Sequence, residues 1–117
     1  METKALLLEH ATHLTDADIQ KPIGSRRGAD LIFSEKALET YPFTVEVKNV
    51  EKLNIWEALE QSENHCAQTE LKPLLVFRRN HSPLYVTLRF EDFLKLIRAA
   101  EAPNPELVNQ GIATVPV

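Results

Sequence analysis

The strongest constraint on the fold is a change of hydrophobic period near residue 49. Residues 43–48 alternate apolar and polar side chains, which is typical of a half-buried strand. Beyond them, Leu53, Trp56 and Leu59 recur at helical spacing, and good helix formers continue to about residue 70. The apolar run 74–77 then predicts a buried strand. The centre of the chain is therefore predicted to be strand, helix, strand.

Shorter patterns flank this central unit. In chain order they predict a helix at 3–14, a polar loop at 15–28, a strand at 29–33, a hairpin connection at 34–42, a strand at 84–88 and an amphipathic helix at 90–100. We therefore expect an α/β fold with a mixed sheet flanked by helices. Residues 1–102 are predicted to form one domain, and 103–117 a C-terminal tail.

Composition narrows the class of protein. Hydrophobic residues make up 44% and charged residues 26%, as in an ordinary globular protein. The single cysteine, Cys66, excludes an internal disulfide and suits a reducing cytoplasm. No apolar run approaches the roughly 20 residues that span a bilayer, and residues 5–8 are too few for the core of a signal peptide. We expect a soluble, cytoplasmic protein with no membrane partner.

The charge balance argues against general attraction to nucleic acid, since the formal net charge is −4. The basic residues are nevertheless clustered. One group precedes Asp30 and the other lies near residue 80: Lys21, Arg26 and Arg27, then Lys72, Arg78, Arg79 and His81. Such clusters are also typical of an ordinary solvated face. Charge alone slightly disfavours a nucleic-acid partner.

Three residues are arranged for metal-dependent chemistry. Strand alternation places Glu46 and Lys48 on one face, and a hairpin would bring Asp30 to the same edge of the sheet. Paired carboxylates repel each other unless a cation lies between them, and hard oxygen ligands suit Mg²⁺, with Mn²⁺ as a substitute. Such an ion polarises a phosphodiester and activates a bound water, while a nearby lysine offsets the growing negative charge.

Gly28, Ala29 and Asp30, followed after a loop by Glu46, Val47 and Lys48, resemble the motif of the PD-(D/E)xK nucleases. The resemblance implies a restriction-endonuclease-like αβββαβ core and an endodeoxyribonuclease activity. It implies that Asp30 and Glu46 hold the metal together with the backbone carbonyl of Val47, and that Lys48 assists the attacking water. It also implies a polar residue on the following helix, for which Gln61 is the candidate. Proline does not precede Asp30, which is a departure from the motif.

Within that superfamily the chain most resembles the small Holliday junction resolvases of archaea and phages. The resemblance covers a first helix with a carboxylate, here Glu9 with Glu2 as competitor, and a basic loop at residues 23–28. It implies paired nicks at four-way junctions by a homodimer, and it suits a phage-encoded protein. The candidate DNA-binding residues are Lys21, Ser25, Arg26, Arg27, Lys52 and Gln61. A restriction-like, flap or duplex endonuclease, and a catalytically silent DNA-binding module, are the alternatives.

The remaining residues of interest have simpler explanations. Glu46 and Lys48 also fit a solvated sheet face in an unrelated α/β protein, and Ser25 fits a turn. Cys66 is predicted to be a small buried side chain, and its helix neighbour His65 faces another way. Five aromatic residues fall at core-facing spacings and are predicted to pack: Trp56, Phe77, Tyr85, Phe90 and Phe93.

Overall fold

The computed structural model describes residues 2–23 and 30–101. The chain divides into two compact units, Met1–Thr87 and Leu88–Val117. The first unit contains α1 (Glu2–His10), a 3-10 turn (Asp16–Asp18), β1 (Ile19–Gln20), β2 (Ile32–Phe33), α2 (Glu35–Thr40), β3 (Phe43–Asn49), α3 (Ile55–Cys66), β4 (Lys72–Arg78) and β5 (Tyr85–Thr87). The second contains α4 (Phe90–Ala100), and the predicted tail at 103–117 lies outside the described residues.

A three-stranded mixed sheet, in the order β3-β4-β5, organises the first unit. Strand β4 runs parallel to β3, with Val45 opposite Leu74, and β5 runs antiparallel to β4, with Tyr85 opposite Phe77. Helix α3 makes the crossover that two adjacent parallel strands require. The predicted α/β class, with a mixed sheet flanked by helices, is therefore confirmed, as are the central strand, helix and strand.

The two faces of the sheet are covered by different helices. On one face Val45 and Val76 belong to the main core, against which Leu7 and Leu8 of α1 pack. Leu75 points to the opposite face and is completely buried. Helix α3 packs against β3 and β4, and its buried residues are all small: Ala58, Ser62 and Cys66. Small side chains allow the helix to lie close to the strands, and the burial predicted for Cys66 is confirmed.

The predicted hairpin at residues 34–42 is wrong, because this segment contains helix α2. Ser34 caps the helix: its Oγ accepts a hydrogen bond from the Ala37 N–H at 3.1 Å. The same hydroxyl donates to Asp18 at 2.7 Å. The residues that follow Ser34 are good helix formers, and a six-residue helix is too short to give a clear periodic signal.

The predicted loop at 15–28 is also wrong in part, because it contains strand β1. Ile19 is completely buried in the core and pairs with Phe33 of β2 in a separate two-stranded sheet. Strand β2 therefore pairs with β1, whereas the hairpin prediction paired it with β3. A two-residue strand is below the length at which alternation is visible in a sequence. Helix α1 is shorter than predicted and ends at His10.

Asp18 ties the irregular segment before β1 to the start of α2. Its carboxylate accepts hydrogen bonds from the Thr15 N–H at 2.7 Å and from the Ser34 hydroxyl. These bonds favour the ionised form, so the pKa of Asp18 lies below its ordinary value. The backbone N–H of Ser34 also donates to the Asp18 carbonyl at 2.8 Å.

The packing predicted for the five aromatic residues is wrong for the four that are exposed, which are Trp56, Tyr85, Phe90 and Phe93. Trp56 lies on α3 well away from the buried face of that helix, and Tyr85 belongs to the short edge strand β5. In the second unit, Phe90 and Phe93 of α4 stack with ring centroids 6.4 Å apart. Among the described helices, none has both the length and the apolar character needed to cross a membrane.

Two serine-to-alanine substitutions should change stability in opposite directions. Ser62 is buried and its Oγ has no hydrogen-bond partner among the described residues, so Ser62→Ala should raise the free energy of unfolding by about 1 kcal/mol. Ser34→Ala removes the cap of α2 and the bond to Asp18, so it should lower that free energy by about 1–2 kcal/mol. Urea denaturation measures both. Equal losses from the two variants would contradict the assignment of Ser62 as unpartnered.

Candidate active site

Asp30 is held against the free edge of β3 by two hydrogen bonds. Its backbone N–H donates to the Val45 carbonyl at 2.9 Å, and its carboxylate Oδ2 accepts from the Val47 N–H at 2.7 Å. The motif aspartate therefore meets β3 without forming the predicted hairpin. A carboxylate that accepts a backbone N–H is fixed in position, and its other oxygen remains available to a ligand.

The same contact orients the backbone of β3. In a strand, the N–H and the C=O of one residue point towards the same neighbour. Because the Val47 N–H points towards Asp30, the Val47 carbonyl also lies on this edge, away from β4. The resemblance implied this carbonyl as a metal ligand. It lies on the side of β3 where the Asp30 carboxylate is located.

Glu46 is a buried acid beside this edge, with a relative exposure of 5%. Its pKa is raised above the ordinary value of 4.5, first by burial and then by the negative charge of Asp30. The contact with His65 and the charge of Lys48 act in the opposite direction. The predicted grouping of Asp30, Glu46 and Lys48 is thus present as a set of mutually interacting charges.

His65 is the site residue that sequence reasoning missed. Its Nδ1 lies 2.9 Å from Oε2 of Glu46, and a quarter of its side chain is exposed. Helix α3 runs back along the sheet and places His65 beside the middle of β3. The signal was present in the sequence: His65 follows Ser62 by three residues and so flanks the helix stripe that faces the sheet.

Gln61, the predicted polar residue of this helix, lies one turn before His65 on the same side of α3 and is exposed. Glu9 is exposed on α1, and it is not among the charged groups that act on Glu46. Its competitor Glu2 forms an ion pair with Arg78.

The predicted DNA-binding residues that the structure describes lie on different segments. Lys21 is exposed after β1, and Lys52 is exposed in the bend between β3 and α3. Ser25, Arg26 and Arg27 lie outside the described residues. In the described ranges, 2–23 and 30–101, no group of three or more His, Cys, Asp or Glu side chains is arranged to hold a metal. Metal binding by Asp30, Glu46 and the Val47 carbonyl therefore stays a prediction.

No family model, no curated protein and no solved structure matches this chain.

The raised pKa of Glu46 predicts that this residue destabilises the metal-free protein at neutral pH. Below pH 4.5 the carboxyl is protonated in both the folded and the unfolded chain, so it has no effect. As the pH rises through the folded pKa, the buried group ionises near Asp30, and stability falls. Glu46→Gln should therefore melt at a higher temperature than the wild type at pH 8, with the difference disappearing near pH 4.

Thermal melts in EDTA at the two pH values measure this effect. Glu60→Gln, a substitution of an exposed glutamate on α3, is the control and should shift neither melting temperature. A Glu46→Gln variant that is less stable than the wild type at pH 8 would show that the contact with His65 outweighs the burial of the charge.

Proposed function

We propose that this chain is a metal-dependent DNA endonuclease that hydrolyses phosphodiester bonds at Asp30, Glu46 and Lys48. The observation that carries the proposal is the fixed Asp30 carboxylate, bonded to the Val47 N–H next to the buried Glu46. Burying one acid within reach of another is unfavourable, and perturbed acids of this kind are typical of functional sites. A structural ion pair would need no second carboxylate.

The residues present fit Mg²⁺ or Mn²⁺. Asp30 and Glu46 provide hard carboxylate oxygens, and the Val47 carbonyl lies on the edge that Asp30 occupies. Magnesium commonly binds through one or two carboxylates and leaves its other positions to water and substrate phosphate. When bound, the ion would polarise the phosphodiester and lower the pKa of a coordinated water.

The chain's own residues have distinct roles in this proposal. Lys48 extends from the same face as Glu46 and provides positive charge where negative charge grows on the phosphate. It can also orient the attacking water. His65 holds Oε2 of Glu46 and leaves the second carboxylate oxygen of that residue free to act as a ligand. A contact that holds a ligating carboxylate in one orientation raises the affinity of the site for a metal.

The preferred substrate, a four-way junction cut by paired nicks, rests on the resemblance to junction resolvases. A homodimer would place two such sites on one symmetric junction, as paired cleavage requires. Glu9 and the basic loop containing Ser25, Arg26 and Arg27 belong to this part of the proposal. Activity on DNA also agrees with an intracellular, phage-encoded protein. The alternative is cleavage of duplex or flap DNA, and a comparison of cleavage rates on these substrates and on the junction distinguishes the two.

Thermal melting and cleavage together test the assignment of the metal ligands. Added Mn²⁺ should stabilise the wild type, by about 2.7 kcal/mol at a concentration 100 times the dissociation constant. Asp30→Asn should lose both this stabilisation and cleavage of a labelled four-way junction. Lys48→Ala should lose cleavage by roughly 100-fold or more while keeping the stabilisation, because Lys48 is not a ligand. Lys95→Ala is the matched lysine control.

The same assay should include linear duplex of the same sequence and an EDTA control. Symmetric paired nicks near the branch support a junction resolvase, and equal cutting of the duplex supports a general endonuclease. If folded wild type cleaves neither substrate with Mn²⁺ supplied, the nuclease proposal is rejected in favour of a binding module.

His65→Ala should reduce cleavage roughly 10- to 100-fold, which is typical for loss of a residue that orients a metal ligand. Raising the Mg²⁺ concentration should recover part of the loss, since the ligands themselves remain. His13→Ala is the control, because His13 is exposed and bonds to the Thr40 hydroxyl. A variant that retains full activity at low Mg²⁺ would exclude the orienting role.

A further inference from the structure

Trp56, the only tryptophan in the chain, is 78% exposed. It is the second residue of α3, whose first turn is capped by the Asn54 side chain accepting from the Glu57 N–H at 3.2 Å. Tryptophan carries the largest apolar surface of any side chain, and leaving that surface in water is unfavourable. An exposed tryptophan on a capped, regular helix is available for contact with a binding partner.

The exposure of Trp56 follows from the register of the helix. A helix turns about 100° per residue, so Trp56 lies about 200° around the axis from Ala58, the first residue of the buried face. No side-chain rotation could bring the ring onto the sheet while Ala58, Ser62 and Cys66 face it. The helix therefore presents its tryptophan outward as a fixed feature of the fold.

Trp56 lies at the end of the sheet where the parallel strands β3 and β4 terminate, because α3 begins immediately after the β3 loop. A cleft of about 260 Å³ opens at this end, lined among others by Leu53, Phe77, Arg79 and Tyr85. In open α/β sheets, ligands bind at the carboxyl ends of the parallel strands. We call this end, with Lys52, Trp56, Arg79, His81 and Tyr85, the basic-aromatic surface.

The backbone of the basic-aromatic surface is held firmly. The Asn80 N–H donates to the Glu51 carboxylate at 2.6 Å, which ties the turn after β4 to the loop after β3. Ser82 closes that turn, with its N–H donating to the Arg79 carbonyl at 3.2 Å. His81 has φ 62°, a left-handed conformation that is costly for a residue with a Cβ. These bonds hold the turn in a defined position for a ligand.

The side chains of this surface suit a nucleic acid. Lys52, Arg79 and His81 are exposed, whereas Glu51 is engaged with the backbone of Asn80. Tyr85 is 55% exposed and stacks on Phe77, with ring centroids 6.0 Å apart. Cations that contact phosphates, together with aromatic rings on which bases stack, are the usual components of a surface that binds unpaired nucleotides.

The basic-aromatic surface lies further along the same strand and helix that carry the candidate active site. Lys48 follows Glu46 by two residues towards this end of β3, and the strand extends about 10 Å beyond Glu46. Along α3, Trp56 is about 14 Å from His65. A strand of DNA with its scissile phosphate at Glu46 would reach the surface within a few nucleotides.

We propose that the basic-aromatic surface binds the DNA substrate and that Trp56 stacks on a base exposed where the duplex is interrupted. The proposal rests on the nuclease function proposed above, and it names the contact by which a branched substrate would be distinguished from continuous duplex. A second copy of this chain is a weaker candidate for the occupant. In a symmetric interface centred here, Lys52 and Arg79 would face like charges from the partner.

The single tryptophan makes a direct test possible. The titration uses the Asp30→Asn protein with Mg²⁺, which is expected to bind DNA without cutting it. The fluorescence emission of Trp56 is measured as a four-way junction, a single strand or a linear duplex is added. Stacking should quench the emission with the junction and the single strand and leave it unchanged with the duplex. Trp56→Ala in the same background should weaken junction binding roughly 5- to 100-fold, measured by fluorescence anisotropy of labelled DNA. Trp56→Phe should recover most of the affinity.

Phe90→Ala is the matched control, since Phe90 is an exposed aromatic residue of the second unit. The affinity of this variant for the junction should equal the wild-type value. If wild type cuts the junction but Trp56→Ala binds it equally well, the stacking contact is overturned and the nuclease function stands. If wild type neither binds nor cuts DNA, both proposals fail. A third outcome would assign the surface to self-association: Trp56→Ala converts a dimer to a monomer, and DNA does not change the emission of Trp56.

Discussion

The pairing of Asp30 with the free edge of β3 is the contact on which the rest of the site depends. One bond fixes the backbone of Asp30 to Val45, and the other fixes its carboxylate to Val47. Together they bring an acid from an irregular segment next to the strand that carries Glu46 and Lys48, and they leave the Val47 carbonyl on the shared edge. Without this contact the two acids would lie in separate parts of the fold.

The site is also stabilised by α3, which packs on the sheet face where the Glu46 side chain lies. Its small buried residues let the helix approach β3 closely enough for His65 to reach Glu46. Glu46 is therefore enclosed between Asp30 and His65, and burial raises its pKa despite the nearby cations. Burial of such a group is unfavourable for the fold, and in the proposed function a bound cation would offset that cost.

The same helix links the candidate chemistry to the proposed recognition of DNA. Its C-terminal half carries His65 on the side near the site, and its first turn carries Trp56 at the carboxyl ends of the parallel strands. Both positions are fixed by one set of buried contacts with the sheet. In the proposed function, this single helix would set the distance between a phosphate bound at Glu46 and the proposed stacking contact at Trp56.

The sequence alone determined the longer regular elements and the motif: the alternation of β3 placed Glu46 and Lys48 on one face, and helical periodicity located α3 and α4. Those features are local, because they depend on the period of the backbone. Only the tertiary structure decided the pairing of β2 with β1, the hydrogen bonds of Asp30 to β3 and the contact of His65 with Glu46. Each of these joins segments far apart in the chain. Their geometry depends on how Ile19 and the α3 face with small side chains are buried. Local sequence patterns do not encode that packing.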